Sequence, residues 1–196
     1  MLRLSMEKRK DYIAAIAAKV FSEKGYKSSS LQEIADYAKI SKAGIYHYFK
    51  TKDEILGHIL IKNTDIFMGK LINSINDSKK KGLNQRDSFE KLISTFARHI
   101  QSSGKRRLIM AREMHNLTDD YQKELYIKQQ NLFNLIKGEL LKIENLDKKL
   151  DPNIITFMII GTMNWIGRWY KDGKKLDLDA ITKQNIRIFF HGMLKN

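Results

Sequence analysis

The fold is decided by residues 30–56, which read SLQEIADYAKISKAGIYHYFKTKDEIL. Ser30 and Glu33 have the S-x-x-E spacing of a capping box, which predicts that a short helix begins here. Ser41 is placed to cap a second short helix, Lys42 to Tyr48. Only residues 39–41 separate the two helices, so a tight turn must join them. The stretch therefore predicts a helix-turn-helix.

The second of these helices is the candidate DNA-reading element. Such a helix lies in the major groove, so its inward side chains hold it to the core while its outward ones approach bases and phosphates. Ile45 and Phe49 form the inward pair, and the small Ala43 and Gly44 let the backbone come close to the bases. Nearby hydroxyls, an ammonium group and the free N–H groups that begin the first helix suit phosphate oxygens. The predicted DNA contacts are Ser28, Ser29, Ser30, Lys42, Ala43, Gly44, Tyr46, His47, Tyr48 and Lys52.

The charge of the chain agrees with a polyanionic partner. The formal net charge is +14, and Arg3 to Lys52 holds eleven Lys or Arg against five Asp or Glu, so net +6 falls in about a quarter of the chain. Double-stranded DNA is thus the expected partner. A protein that binds a membrane surface through its basic charge is the alternative, but it predicts uniform basicity along a lysine-rich amphipathic helix.

The residue types present argue against an enzyme. The chain has no cysteine, which excludes disulfides, thiolate metal sites and cysteine nucleophiles and suits a reducing cytoplasm. Its five histidines show no metal-ligand spacing, and no glycine-rich phosphate loop precedes a helix. We therefore expect no catalytic residues, no metal and no cofactor.

The rest of the chain predicts helices throughout. Apolar residues recur at helical spacing before Gly25 and again from Asp53 to about Ser78. Further helical patterns cover 88–101, 105–116, 118–143, 153–170 and 178–194. We predict an all-α protein with a DNA-binding domain at 1–52 and a ligand-binding and dimerisation domain at 53–196. The longest apolar stretch is too short to span a bilayer and no signal-peptide pattern is present, so we expect a cytoplasmic protein without a membrane partner.

These motifs resemble a known family. Residues from about Lys8 to Lys62 look like the N-terminal domain of TetR regulators, with matching pieces at 15–21, 29–35 and 41–56. The resemblance implies a homodimer, a palindromic operator, and release of DNA when a small molecule binds. The chain departs from the commonest pattern at Gly44, where Ser, Thr or Ala is frequent. This difference concerns the base preference at that position.

The resemblance also suggests how the copies meet. The segment 153–170 is apolar on more than one side, so it needs a second neighbour besides its own core. Paired with 178–194, it would form a four-helix interface with its two-fold mate, as the resemblance implies. The predicted dimerisation residues are Ile159, Met163, Ile166, Phe189 and Phe190.

The C-terminal half resembles the fatty-acid-metabolism branch of the family. The resemblance is carried by Arg112-Glu113 with Leu117, by 161–165 and by 169–173, and it implies a long-chain acyl-CoA effector. Basic side chains would bind the phosphates, since Arg offers bidentate geometry, although a solvated face explains the same basic cluster equally well. The predicted ligand-binding residues are Arg98, Arg106, Arg107, Arg112, Met110, Asn164, Trp165 and Trp169.

Two further points stay open at the level of sequence. A regulator of a multidrug efflux pump that responds to lipophilic compounds is the alternative within the family, and Glu113 and Asp119 would suit a cationic ligand. In either case we expect the effector to move the helix that starts at Asp53 and so to change the separation of the two recognition helices.

Overall fold

The computed structural model describes residues 5–170 and 177–193, except for the side chains of 103–112 and 193. All regular structure in these ranges is helical, which confirms the predicted fold class. No helix of the described part is long and apolar enough to cross a membrane. The helices are α1 (Met6–Lys24), α2 (Leu31–Ala38), α3 (Lys42–Tyr46), α4 (Lys52–Lys80), α5 (Gln85–Arg112), α6 (Asp119–Leu140), α7 (Pro152–Trp169) and α8 (Leu178–Met193), with a 3-10 turn at Met114–Asn116.

Three helix boundaries differ from the sequence prediction. α3 ends at Tyr46, and His47 and Tyr48 form a turn. α5 is a single helix across 102–104, where a break was predicted. One helical glycine costs only about 1 kcal/mol relative to alanine, so Gly104 interrupts the pattern without ending the helix. α6 ends at Leu140 rather than near Ile143.

The chain divides into two compact units. The first unit comprises Met1–Asp65 and Lys105–Ile127, and the second comprises Ile66–Gly104 and Lys128–Asn196. The predicted DNA-binding domain, 1–52, falls within the first unit. The first unit also includes the start of α4 and a segment from the middle of the chain, both of which lie in the second predicted domain, 53–196.

The first unit is a small helical core built around α1. The Oγ of Ser5 accepts a hydrogen bond from the N–H of Lys8, and α1 ends at Gly25, whose φ of 88° is accessible to glycine. Helices α2, α3 and α4 close over the buried face of α1, and the middle segment adds two leucines. The core includes Ile13, Ala17, Phe21, Ile34, Ala35, Ile45, Phe49, Ile55, Leu56, Leu117 and Leu125.

The second unit is a separate bundle. Asp151 caps α7 by accepting a hydrogen bond from the N–H of Asn153, and Pro152 follows at the first turn, where its missing N–H costs nothing. A partly buried hydrogen bond joins α5 to α4, since the hydroxyl of Thr95 donates to Ser74 Oγ at 3.1 Å. The core of this unit includes Phe67, Leu71, Phe89, Leu92, Ile93, Phe96, Ile136, Ile155, Ile159, Met163, Ile166 and Phe190.

Candidate nucleic-acid interface

The N-terminus of α2 is held by the predicted capping box. Ser30 Oγ accepts from the N–H of Glu33 at 3.2 Å, and Glu33 Oε2 accepts from the N–H of Ser30 at 2.9 Å. Glu33 also pairs with Lys24 of α1 at 2.7 Å. The hydrogen bond from Lys24 is the main reason why the pKa of Glu33 lies below its usual value. The capping box therefore also fixes α2 to the end of α1.

The turn between α2 and α3 is tight, as predicted. Lys39 adopts a left-handed conformation with φ 53°, and the N–H of Ile40 donates back to the carbonyl of Ala35. Ser41 Oγ then accepts from the N–H of Gly44 at 3.0 Å and begins α3. Local hydrogen bonds thus fix the N-terminus of α2, the turn and the N-terminus of α3.

The short helix α3 divides its side chains as the sequence predicted. Ile45 and Phe49 are buried in the first unit, whereas Lys42, Ala43, Tyr46 and His47 are exposed. We call these four exposed residues the α3 face. The core below holds their backbone in place, so the surface is rigid. It has the small Ala43 near its start and the hydrogen-bonding side chains of Tyr46 and His47 at its end, which suits an approach to DNA.

Two predicted contacts lie beside the α3 face. Tyr48 is half-buried and its ring meets that of His47 edge-on, with 4.9 Å between centroids. Gly44 is also half-buried, and a Cβ there would lie 3.3 Å from Ser41 Oγ. A larger residue at this position would press on the hydroxyl that caps α3.

The serine run before α2 is only partly available to a ligand. Ser28 is exposed, and Ser30 is exposed but serves as the helix cap. Ser29 is buried, and its hydroxyl donates to the carbonyl of Tyr26 at 2.7 Å. The predicted phosphate contact through the Ser29 side chain is therefore wrong, because that hydroxyl points into the protein.

Lys52 is also turned inward. Its Nζ donates to the carbonyl oxygens of Ser29 at 2.6 Å and Tyr26 at 3.0 Å, with a longer contact to that of Lys27 at 3.4 Å. The ammonium also lies over the Tyr26 ring, 4.8 Å from its centroid. A phosphate contact at Lys52 was predicted, but in this structure the ammonium group donates its hydrogen bonds to backbone carbonyls.

Sequence reasoning missed a second cap and an exposed aromatic residue. Thr51 Oγ1 accepts from the N–H of Glu54 at 3.1 Å and begins α4, and Glu54 in turn accepts from the N–H of Lys50 at 2.7 Å. The signal was present, since Thr51 and Glu54 repeat the spacing of a capping box. Tyr37 is exposed on α2, with the Lys24 ammonium 5.6 Å from its ring centroid.

One group of side chains in the first unit has metal-binding character. Glu7, Asp11 and His58 place one ligand atom each within 4.8 Å of one another. The ammonium of Lys62 lies 3.0 Å from Asp11 and 3.9 Å from Glu7, and His58 is 3.0 Å from Asp11. Because a lysine already neutralises these carboxylates, the group is an ion-pair network between α1 and α4.

Two family models match the chain. Residues 13–59 match the bacterial regulatory proteins of the tetR family, and residues 82–193 match a tetracyclin repressor-like C-terminal domain, more than half of the chain by itself. The chain belongs to the TetR family. The protein is thus a transcriptional regulator rather than an enzyme, as the sequence predicted.

This TetR regulator is similar over nearly its whole length to proteins with assigned names. It is 26% identical to the transcriptional repressor KstR2 of Rhodococcus jostii over 94% of this chain and 91% of that protein. It is 22% identical to the fatty acid metabolism regulator protein of Bacillus subtilis over 95% of this chain and 97% of that one. Its fold matches AibR in complex with isovaleryl coenzyme A and operator DNA, with a TM-score of 0.76, 21% identity, and 92% and 97% of the two chains covered.

Among the described side chains, the residues predicted to bind the effector do not form a single site. Arg98 is exposed on α5 and pairs with Asp179 at 3.3 Å. Trp165 and Trp169 are exposed on α7, and Asn164 beside them is half-buried. Arg106, Arg107, Met110 and Arg112 lie later on α5, and their side chains are outside the described residues.

The residues predicted to form the dimer interface lie in the core of the second unit. Ile159, Met163, Ile166 and Phe190 are buried, and Phe189 is half-buried against the same core. They cannot be the contacting surface, because the chain already covers them with its own side chains. Among the described side chains, the large exposed apolar residues of α7 and α8 are Ile154, Phe157, Met158, Trp165, Trp169 and Ile188.

Proposed function

We propose that this TetR regulator is a repressor that binds a palindromic operator as a homodimer and leaves it when an acyl-CoA thioester binds. The observation that carries the DNA-binding half is the α3 face, where exposed Lys42, Ala43, Tyr46 and His47 lie above buried Ile45. Two such helices from a symmetric dimer would meet half-sites about 34 Å apart, one turn of the duplex. The protein would act in the cytoplasm, where bacterial DNA lies.

The proposed contacts fall into two classes. Ala43 and Gly44 allow close approach, so an apolar contact with a thymine methyl and bonds from Tyr46 or His47 to base edges would provide sequence preference. Lys42, Tyr48 and the hydroxyl of Ser28 would position the helix through phosphates. Lys52 and the Ser29 side chain are removed from the predicted set, since their polar atoms face the protein.

The effector class is supported by the relatives and by the basic residues of α5. A fatty acid metabolism regulator is similar to this chain over almost its full length, and AibR shares the fold and was crystallised with an acyl-CoA. An anionic thioester needs cationic partners for its phosphates. Arg98, Arg106, Arg107 and Arg112 are the proposed ones, with Met110, Asn164, Trp165 and Trp169 near the acyl chain.

The efflux alternative is less well supported. It would need acidic residues in the ligand site, and the two considered were Glu113 and Asp119. Glu113 accepts a hydrogen bond from the side chain of Asn116 at 2.8 Å. Asp119 is exposed in the first turn of α6, where its negative charge interacts favourably with the helix dipole. Both acids therefore have a local structural role.

The proposed path from effector to DNA is α4. Residues 52–65 of this helix belong to the first unit and 66–80 to the second, so one continuous helix connects the two. An effector that binds better to one position of α4 would shift the dimer toward that position. The recognition helices would then no longer match both half-sites.

A fluorescent promoter fragment from upstream of the protein's own gene tests the proposal. The DNA-bound regulator is titrated with a long-chain acyl-CoA and, separately, with the free fatty acid and with coenzyme A. Release by the thioester alone, at micromolar concentration, is the expected result. Binding that none of the three compounds changes would leave the DNA-binding assignment in place and refute the acyl-CoA effector.

The dimer surface is proposed from the exposed apolar residues of α7. Phe157 is 66% exposed, and its ring packs against Phe133 of α6 with 4.7 Å between centroids. Ile154 and Met158 are also more than half exposed on the same helix. Large apolar side chains exposed close together on one helix suit an interaction surface, and in a homodimer the same surface meets itself across a two-fold axis.

A further inference from the structure

The start of α4 holds the loop between α1 and α2 through one ammonium group. Lysine has three N–H donors, and Lys52 directs them to three backbone carbonyls of the loop, those of Tyr26, Lys27 and Ser29. An ammonium with three carbonyl acceptors has no donor left for a phosphate. The contact joins residues more than twenty positions apart in the sequence.

The side chain of Asp53, the next residue of α4, also binds this loop. The hydroxyl of Tyr26 donates to a carboxylate oxygen of Asp53. Burial of the ring and this hydrogen bond raise the pKa of Tyr26 well above its usual value, so the phenol keeps its proton at neutral pH. Tyr26 is thus held at its carbonyl by Lys52 and at its hydroxyl by Asp53.

The loop held in this way leads directly into the DNA-binding helices. The N–H and the hydroxyl of Ser29 both donate to the carbonyl of Tyr26, at 3.3 and 2.7 Å, so the loop has one defined path. Ser28 is exposed on it, and Ser30 caps α2 immediately after it. Any shift of the first turn of α4 would therefore move the N-terminus of α2.

We propose that Lys52 is a positioning residue for DNA binding, which holds the 26–29 loop and the start of α2 in place against α4 rather than contacting a phosphate. The proposal rests on the DNA-binding function given above. It accounts for a lysine that lies near the DNA-binding helices and yet points inward. It also identifies a contact at the start of α4 that would transmit movement of this helix to the 26–29 loop.

The salt dependence of operator binding separates the two roles. Each phosphate contact that is lost reduces the slope of log K against log salt by about 0.9 per subunit, whereas a positioning residue changes affinity at every salt concentration alike. Lys52→Met removes the ammonium and keeps most of the stem. We expect about a tenfold weaker binding, typical of losing hydrogen bonds to a charged group, with an unchanged slope.

Two further variants keep the test decisive. Lys52→Arg preserves the charge, but a planar guanidinium cannot replace an ammonium among three carbonyls, so we expect it to weaken binding too. Tyr26→Phe changes no charge and removes only the bond to Asp53, and we expect weaker binding at constant slope. The matched control is Lys42→Met on the exposed α3 face, which should lower both affinity and slope.

Each result has a defined meaning, provided that circular dichroism shows the variants folded at the assay temperature. A lower slope for Lys52→Met together with full affinity for Lys52→Arg would make Lys52 a phosphate contact and overturn the proposal. Unchanged operator affinity in all three variants, with only a lower melting temperature, would show a purely structural role and overturn it as well. Failure of the wild type to bind its promoter would instead refute the proposed function.

Discussion

Gly57 allows the ring of Tyr121 to lie directly on the backbone of α4. A Cβ at this glycine would be 2.5 Å from the ring, closer than any ordinary contact. The ring is partly buried there, and this burial raises the pKa of the Tyr121 hydroxyl, with a smaller contribution from the neighbouring Glu54 and Glu124. This contact packs the start of α6 against α4 within the first unit.

Replacement of Gly57 by alanine should therefore destabilise the protein. Alanine gains about 1 kcal/mol in helix propensity, but forcing a methyl group into a filled space costs about 1–3 kcal/mol, so we expect a net loss of up to about 2 kcal/mol. The free energy of unfolding is measured by urea titration. Gly69→Ala on the same helix is the matched control, because a Cβ there meets nothing within 4 Å, and it should stabilise the protein.

A second comparison tests the cause. If the Tyr121 ring is what obstructs the methyl group, Gly57→Ala should cost much less in a Tyr121→Ala background. A Gly57→Ala protein that is stabilised as much as Gly69→Ala would show that the ring moves aside freely and would contradict the tight contact.

At the scale of the elements, α1 and α4 are joined by charge. Asp11 of α1 accepts from Lys62 and His58 of α4. Partial burial opposes ionisation of Asp11, but hydrogen bonds from Lys62 and His58 outweigh it and hold the pKa of Asp11 below its usual 3.8. The network is therefore formed at neutral pH.

The lowered pKa sets the sign of the pH dependence. A carboxylate with a lowered pKa stabilises the fold above its unfolded value of 3.8, and this contribution is lost as the pH falls through the lower folded value. We expect Asp11→Asn to lower the free energy of unfolding at pH 7 by at most about 1 kcal/mol, since the network is partly exposed. The difference should close in acid, as urea titrations at several pH values would show.

The control for this prediction is another acid of α1. Glu23 and Lys19 are both well exposed and 3.9 Å apart, so Glu23→Gln should change stability little at any pH. A constant difference between Asp11→Asn and wild type down to the lowest pH would assign the effect to packing rather than to charge.

The elements differed in how much the sequence revealed about them. α2 and the start of α3 were predicted correctly because their caps are local, with donor and acceptor three residues apart at Ser30 and Ser41. Lys52 was not, because its acceptors are backbone carbonyls of a distant loop and carry no side-chain signature. The unbroken α5 was missed because Gly104 resembles a terminator in the sequence, although a helix tolerates one interior glycine at a cost of about 1 kcal/mol.

The dimer residues were missed for a related reason. The sequence showed that α7 is apolar on two sides but not which stripe faces its own core. Ile159 and Met163 proved to be the core stripe, and Phe157 and Met158 belong to the exposed one. Periodicity gives the spacing of each stripe, and only packing against α5 and α6 decides between them.

At the scale of the whole molecule, the exposed stripe of α7 predicts the oligomeric state. Phe157→Asp places a charge in the centre of the proposed interface, and burying an unpaired carboxylate there costs more than a dimer contact gains. We expect a folded monomer by sedimentation equilibrium, with much weaker operator binding. Leu141→Asp is the control, because Leu141 is 55% exposed outside α7 and should leave the dimer intact.

The outcomes of this experiment are distinct. A dimeric Phe157→Asp protein would place the interface elsewhere, whereas loss of the dimer in Leu141→Asp as well would show that the effect is not specific to the α7 stripe. Charge at a core position such as Met163 should unfold the second unit instead, since that side chain is fully buried.

The central claim is that this TetR regulator reads DNA through the α3 face, and fluorescence anisotropy at physiological salt tests it most directly. The full-length dimer is titrated against its own promoter fragment and a scrambled duplex, and Tyr46→Ala is compared with wild type. Specific binding at least about a thousandfold tighter than to scrambled DNA is expected, with a loss of about 1–3 kcal/mol in Tyr46→Ala. Equal affinity for both duplexes would contradict this claim. Wild-type affinity for the promoter in both Tyr46→Ala and Lys42→Ala would contradict it as well.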